Sequence, residues 1–133
     1  MSFLTEINTI LTSDTSLNSL IEGPQRYENL PSEWLGNTEY NEWMVWGVRR
    51  NNQNDCVSGK NIWMDYTLSV VVIQRNSNSK IDDMTQRLIN YLNSYPISGG
   101  IQDIAFTSDQ PTFDQLQGVY YNGLEFNVKY IES

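Results

Sequence analysis

From Trp63 to Ile131 the hydrophobic pattern switches from a period of two to a helical period and back again, and that order restricts the fold more than any other feature. Trp63–Gln74 alternates as a strand does. Tyr66, Leu68, Val70 and Val72 take one face; Thr67, Ser69, Val71 and Ile73 take the other, which turns apolar only at its end. After the turn Asn76-Ser77-Asn78-Ser79, the spacing predicts a helix over Lys80–Ser94 with Ile81, Met84, Leu88, Tyr91, Leu92 and Tyr95 as its apolar stripe. Asp82, Asp83, Gln86, Arg87, Asn90 and Asn93 cover the opposite side. Ser79 with Asp82 has the spacing of a capping box, and Pro96 ends the helix. A short strand is expected over Gly100–Thr107, then a polar loop over Thr107–Gln117 that contains Pro111, with Phe113 and Leu116 as plugs. Gly118–Ile131 alternates again: Tyr120, Leu124, Phe126, Val128 and Tyr130 point one way, with Asn122 the exception, and Glu125, Asn127 and Lys129 point the other. Strand, helix, strand, strand predicts a two-layer α+β domain whose strand edges are open to other copies.

The first part of the chain is less regular. Phe3, Leu4, Ile7, Ile10 and Leu11 predict a helix over Ser2–Leu11, with Glu6 placed early, where the helix dipole favours an acid. Thr12-Ser13-Asp14 interrupts the pattern. Leu17, Leu20 and Ile21 resume it over Thr15–Glu22, as one kinked helix or two, until Gly23-Pro24 stops it. Gln25–Gly36 reads as an extended connection anchored by Tyr27, Leu30 and Trp34. Glu42–Arg49 reads as a strand that is apolar on both sides, Trp43 and Val45 on one and Met44, Trp46 and Val48 on the other, so cover on both faces or a subunit contact is expected. Arg50–Asn61 is a polar loop by composition.

With 133 residues the chain is expected to form one domain over 1–133, with enough length for a core that needs no metal or disulfide. The absence of histidine removes Ser–His and Cys–His nucleophile pairs and most zinc sites, and Cys56 is the single cysteine. Cys56 reads as an incidental loop thiol. Gly99-Gly100 precedes a strand and reads as a turn, not as a phosphate cradle. Asp82 and Asp83 are neighbours on a helix and do not face each other; Asp103, Asp109 and Asp114 lack the glycine and terminal glutamate of a calcium loop. The residues therefore point to no enzyme, no cofactor and no metal. A net charge of −8 opposes nucleic-acid backbone binding, and neither a signal peptide nor an apolar run of roughly 18 residues is seen, so no membrane partner is expected.

What remains is surface for partners. Trp43, Trp46 and Trp63 flank a locally basic stretch containing Arg49, Arg50 and Lys60, and tryptophan and arginine are enriched at interface hot spots. These six are the candidate subunit or partner contacts. The competing assignment is a second hydrophobic layer beneath the loop. A different functional class, a small intracellular ligand-binding or regulatory α+β domain, would use the tryptophan cluster as a pocket.

The pieces FLTEINTILTSDTSLNSLIEG, WMDYTLSVVVIQRNSNSKIDDMTQRLINYLN, GGIQDIAFTS and GVYYNGLEFNVKYI lie in an order that resembles the tail terminator (tail completion) proteins of long-tailed bacteriophages and the related minor tail and neck proteins. The resemblance covers almost all of the chain and rests on layout, with no catalytic motif. It implies an antiparallel or mixed β-sheet with helices packed on one face. It further implies a structural virion protein of the tail or neck, made in the host cytoplasm. Such a protein forms a homo-oligomeric ring, often a hexamer, at the head-proximal end of the tail. The ring ends polymerisation of the tail tube protein and joins the tail to a head connector or stopper protein, while DNA passes through its lumen without specific binding.

Overall fold

The structure, a computed structural model, describes residues 3–13, 41–53, 62–75, 77–94, 100–114 and 118–132, with side chains for all of these but 51–53, 62–63, 114 and 132. The expected helix over Thr15–Glu22 and the connection over Gln25–Gly36 lie outside them. Helix α1 spans Phe3–Ser13, strand β1 Glu42–Gln53, β2 Ile62–Arg75, helix α2 Ile81–Asn93, β3 Ile101–Asp114 and β4 Val119–Glu132. The strands form one antiparallel four-stranded sheet in the order β1-β2-β4-β3. The fold is α+β, and antiparallel pairing replaces the mixed alternative. The order follows from two hairpins, β1–β2 and β3–β4, whose second strands meet in the middle while α2 carries the chain between them.

Alternation sets which side each residue serves. Met44, Trp46, Leu68, Val70, Val72, Leu124, Phe126 and Val128 share one buried cluster with Phe3, Ile7, Ile10 and Leu11 of α1 and Ile81, Met84, Leu88 and Leu92 of α2. Both helices therefore lie on the same face. Burying side chains of this size contributes about 1.5–3 kcal/mol each. On the opposite face, Trp43, Val45, Val71, Ile73 and Val119 form a second buried cluster, with Tyr121 packed against it. This is the apolar second face that the end of the Trp63–Gln74 pattern announced.

Asn122, the polar exception in β4, is only 2% exposed on the helix side. Its amide nitrogen donates to Thr85 Oγ1 of α2 at 3.1 Å and to Asp109 Oδ2 at 3.2 Å, and its oxygen accepts from the Gln110 amide at 3.0 Å. A buried amide with three partners is tolerated because none of its polar groups is orphaned. It ties α2 to β3 across β4.

Glu6 does more than complement a dipole. Its carboxylate accepts from Tyr130 Oη at 2.7 Å and from the Gly100 amide at 3.1 Å. Phe3 stacks on Tyr66 with ring centroids 3.9 Å apart, and Tyr91 Oη donates to the Ile10 carbonyl at 2.8 Å. These contacts pin α1 to the sheet. Gly100 is required there, because a Cβ would lie 2.5 Å from Tyr130 and 2.7 Å from the Ile131 carbonyl oxygen. At the other end of the β3–β4 hairpin, Gly118 has φ 67°, in the left-handed region that suits glycine.

Four boundaries differ from the sequence reading. Helix α1 continues through Thr12 and Ser13, whose hydroxyls donate to the Asn8 and Thr9 carbonyls within the last turn. The Ser79–Asp82 capping box does not form. Lys80 occupies the N-cap, and its amide donates to Gln74 Oε1 at 2.7 Å, while Ser79 Oγ accepts from Gln74 Nε2. Gln74 is buried at the end of β2 and needs those partners, so it outcompetes the local cap. Residues Arg50–Gln53, expected in a loop, belong to β1 and pair with Tyr66, Asp65 and Met64 across an irregularity at Asn51. The rest of that loop lies outside the described residues. Likewise β3 does not stop at Thr107 but runs to Asp114, paired as far as Val119, and Phe113 is 44% exposed, not a plug. Polar composition hid both extensions, because a long partner strand supplies backbone hydrogen bonds whatever the side chains are. Pro111 is accommodated because β3 is an edge strand, where a missing amide hydrogen breaks no ladder bond.

Leu88 is fully buried under the centre of α2. Leu88→Asp should unfold the domain, since an unpaired buried charge costs several kcal/mol, on the order of the whole stability. Arg87→Ala, on the exposed side, should stay within about 0.5 kcal/mol of wild type. Thermal melting followed by circular dichroism distinguishes the two, and an unchanged melting temperature for Leu88→Asp would refute the helix packing.

Candidate assembly surfaces

Of the six candidate contact residues, the structure divides those it describes between core and surface. Trp43 and Trp46 are both 0% exposed. Being three apart on a strand they project to opposite faces, Trp46 into the helix-side cluster and Trp43 into the second cluster. They are core residues, so they form neither an exposed contact nor a shared pocket of the kind a ligand-binding domain would need. Trp43 also carries the Arg75 guanidinium 5.2 Å from its ring centroid, a cation–π contact. Trp46 Nε1 and Arg75 Nη2 are buried and meet no acceptor among the described residues. Arg49 and Arg50 are exposed, near the far end of β1. Trp63 pairs through its backbone with Ile131; its side chain and Lys60 lie outside the described residues.

The two outer strands differ in how they present their edges. The Arg75 amide donates to the Asn41 carbonyl at 2.8 Å. Alternation along β1 then turns the backbone groups of 43, 45, 47 and 49 toward β2 and those of 42, 44, 46, 48 and 50 outward. Met44, Val45 and Trp46 are 0% exposed as whole residues, so that half of the edge is covered. Gly47 and Val48 are half-buried, and Arg49 and Arg50 are exposed. On β3, Thr107–Pro111 is exposed, but three features interrupt it as a template for strand addition. The Phe106 amide already donates to Asn93 Oδ1 of α2 at 3.1 Å. The register slips between Phe106 and Ser108, with Thr107 Oγ1 donating back to the Glu125 carbonyl. Pro111 has no amide hydrogen. The freely open edges expected from the sequence are therefore partly closed, by cover on β1 and by these devices on β3.

The sheet face away from the helices is apolar at one end only. Beyond Trp43, Val45, Val71 and Ile73 it continues as Arg49, Thr67, Ser69, Glu125, Asn127 and Lys129. One row across it reads Asp65, Lys129, Asp103, opposite signs directly opposite in the register. At the other end of the sheet, buried Glu42 pairs with Lys80 at 2.5 Å, joining β1 to the start of α2. Among the described residues no group of three or more His, Cys, Asp or Glu is placed to hold a metal ion, and no helix is long and apolar enough to cross a membrane.

No protein-family model matches the chain, and no curated protein matches it. Among solved structures the fold is shared with a chain of a structure titled "Virion of native gene transfer agent (GTA) particle". The match has a TM-score of 0.73 at 13% identity and covers 98% of this chain and 96% of that one. At that identity the likeness establishes the fold.

Asp103 is exposed on β3 and did not stand out in the sequence. Nothing local distinguishes it from the other acids; its place on an outer strand is decided by β4 inserting between β2 and β3.

The core assignment of the tryptophans has a direct test. Trp43→Ala and Trp46→Ala should each lower stability by about 3–5 kcal/mol, against at most about 0.5 kcal/mol for Arg49→Ala. Chemical denaturation of the three variants provides the comparison. A tryptophan variant of native stability would return that residue to the surface.

Proposed function

We propose that this protein is a structural component of a phage-like particle, without catalytic activity, that forms a ring at the head-proximal end of a tail. There it ends polymerisation of the tail tube and joins the tail to the head connector. The observation that carries the reading is the fold itself, shared over 98% of the chain with a protein of a gene transfer agent virion. The layout of the sequence resembles tail terminators independently of that likeness. The geometry is compatible with the role. One face of the sheet is closed by α1 and α2, while the other keeps a polar half and the two outer strands differ from each other. A ring closes when one face of a subunit meets a different face of the next, which two unlike edges permit. The net charge of −8 suits a channel wall past which DNA slides without sticking.

The purified chain should form closed rings, alone or on the ends of tubes made by its tail tube protein, visible by electron microscopy and by a light-scattering mass that is a multiple of the monomer. A chain that stays monomeric and leaves tube length unchanged would overturn the reading.

A further inference from the structure

We propose that copies of this chain join head to tail through opposite edges of the sheet, the Arg49–Arg50 end of β1 in one copy meeting Asp103 on β3 of the next. This rests on the ring reading above and specifies its contact. The sheet order β1-β2-β4-β3 puts β1 and β3 on opposite sides of the subunit. Their exposed charges differ in sign. On β1, Arg49 and Arg50 are exposed, while Glu42 is buried against Lys80. On β3, Asp103 and Asp109 are exposed, and the strand contains no lysine or arginine.

The register gives the heights. Arg49 lies level with Thr67, Asn127 and Ala105, and Arg50 with Tyr66, Val128 and Ile104. Asp103 is the next residue along β3, about 3.3 Å further on at the rise of a strand. A cyclic ring whose strands run roughly along its axis brings the edges of neighbours together at equal height. Arg49, which shares with Asp103 the sheet face away from the helices, then comes within side-chain reach of the neighbour's Asp103, and Arg50, on the helix side of the same strand, adds positive charge to that edge. Elsewhere the edges are unsuited to contact: β1 is covered at Met44–Trp46, and β3 is interrupted from Phe106 to Pro111. The opposite arrangement, like edge on like edge in a two-fold dimer, would set arginine against arginine or aspartate against aspartate. Charge here selects orientation and register, and the close opposite charges also hold the contact together.

The test uses two charge-reversed proteins and their mixture, read by sedimentation velocity at low and at physiological salt, with and without tube protein. Arg49→Glu/Arg50→Glu and Asp103→Lys should each fold normally by circular dichroism and lose self-association. An equimolar mixture should recover it, because each edge of one variant then meets its complement on the other. The neutral pair Arg49→Gln/Arg50→Gln, which introduces no repulsion and serves if a reversed variant misfolds, should weaken association by at least about tenfold. Rings in either reversed variant alone would overturn this contact while leaving the ring reading intact. So would a mixture that stops at dimers or fails to recover. A wild-type chain that never associates, with itself or on tubes, would overturn both.

Discussion

The pairing of β2 with β4 is the constraint on which the rest depends. It runs without a slip from Ile62 opposite Glu132 to Arg75 opposite Val119. Every other element is arranged around it: β1 on one flank, β3 on the other, and both helices over one face. The two strands are far apart in the chain, so the closing of a long loop comes before any of its hydrogen bonds. Such non-local pairing slows folding, and it also makes the arrangement cooperative, because neither hairpin buries its apolar face without the other.

A one-residue slip in that pairing would turn every buried residue of β2 or β4 to the wrong side. The pattern of side chains prevents it. On the helix side, Leu68 is opposite Phe126 and Val70 opposite Leu124, under α2. On the other side, Val71 and Ile73 belong to a separate cluster with Trp43. Asn122 adds a polar check on the same register, since its three hydrogen bonds to Thr85, Asp109 and Gln110 form only when β4, β3 and α2 are aligned. A misaligned amide would be buried without partners.

The outer strands show how a sheet can be exposed without being adhesive along its whole length. Cover over Met44–Trp46 closes part of one edge, and the Asn93 bond, the slip at Thr107 and Pro111 interrupt the other. What is left is short and charged. Contacts built on edges of this kind are selective wherever they form, because few alignments match both charge and height.

Faces and periods were legible from the sequence. The alternation of Tyr66, Leu68, Val70 and Val72 against Thr67, Ser69, Val71 and Ile73, the stripe of α2 from Ile81 to Leu92 (Tyr95 lies outside the described residues), and the odd position of Asn122 hold in the fold, because side-chain direction along a strand or helix follows from backbone geometry alone. Only the tertiary structure decided the rest. The strand order could not be read from local periodicity, nor could the extension of β1 over Arg50–Gln53 and of β3 over Thr107–Asp114, because ladder hydrogen bonds are made by the backbone and leave no mark on polar side chains. The capture of the helix start by Gln74 instead of Ser79 depends on which group is buried. The assignment of Trp43 and Trp46 to the core, and of Arg49 and Asp103 to opposite outer strands, depends on what packs beside them, and that is a property of the assembled sheet and not of any segment of the chain.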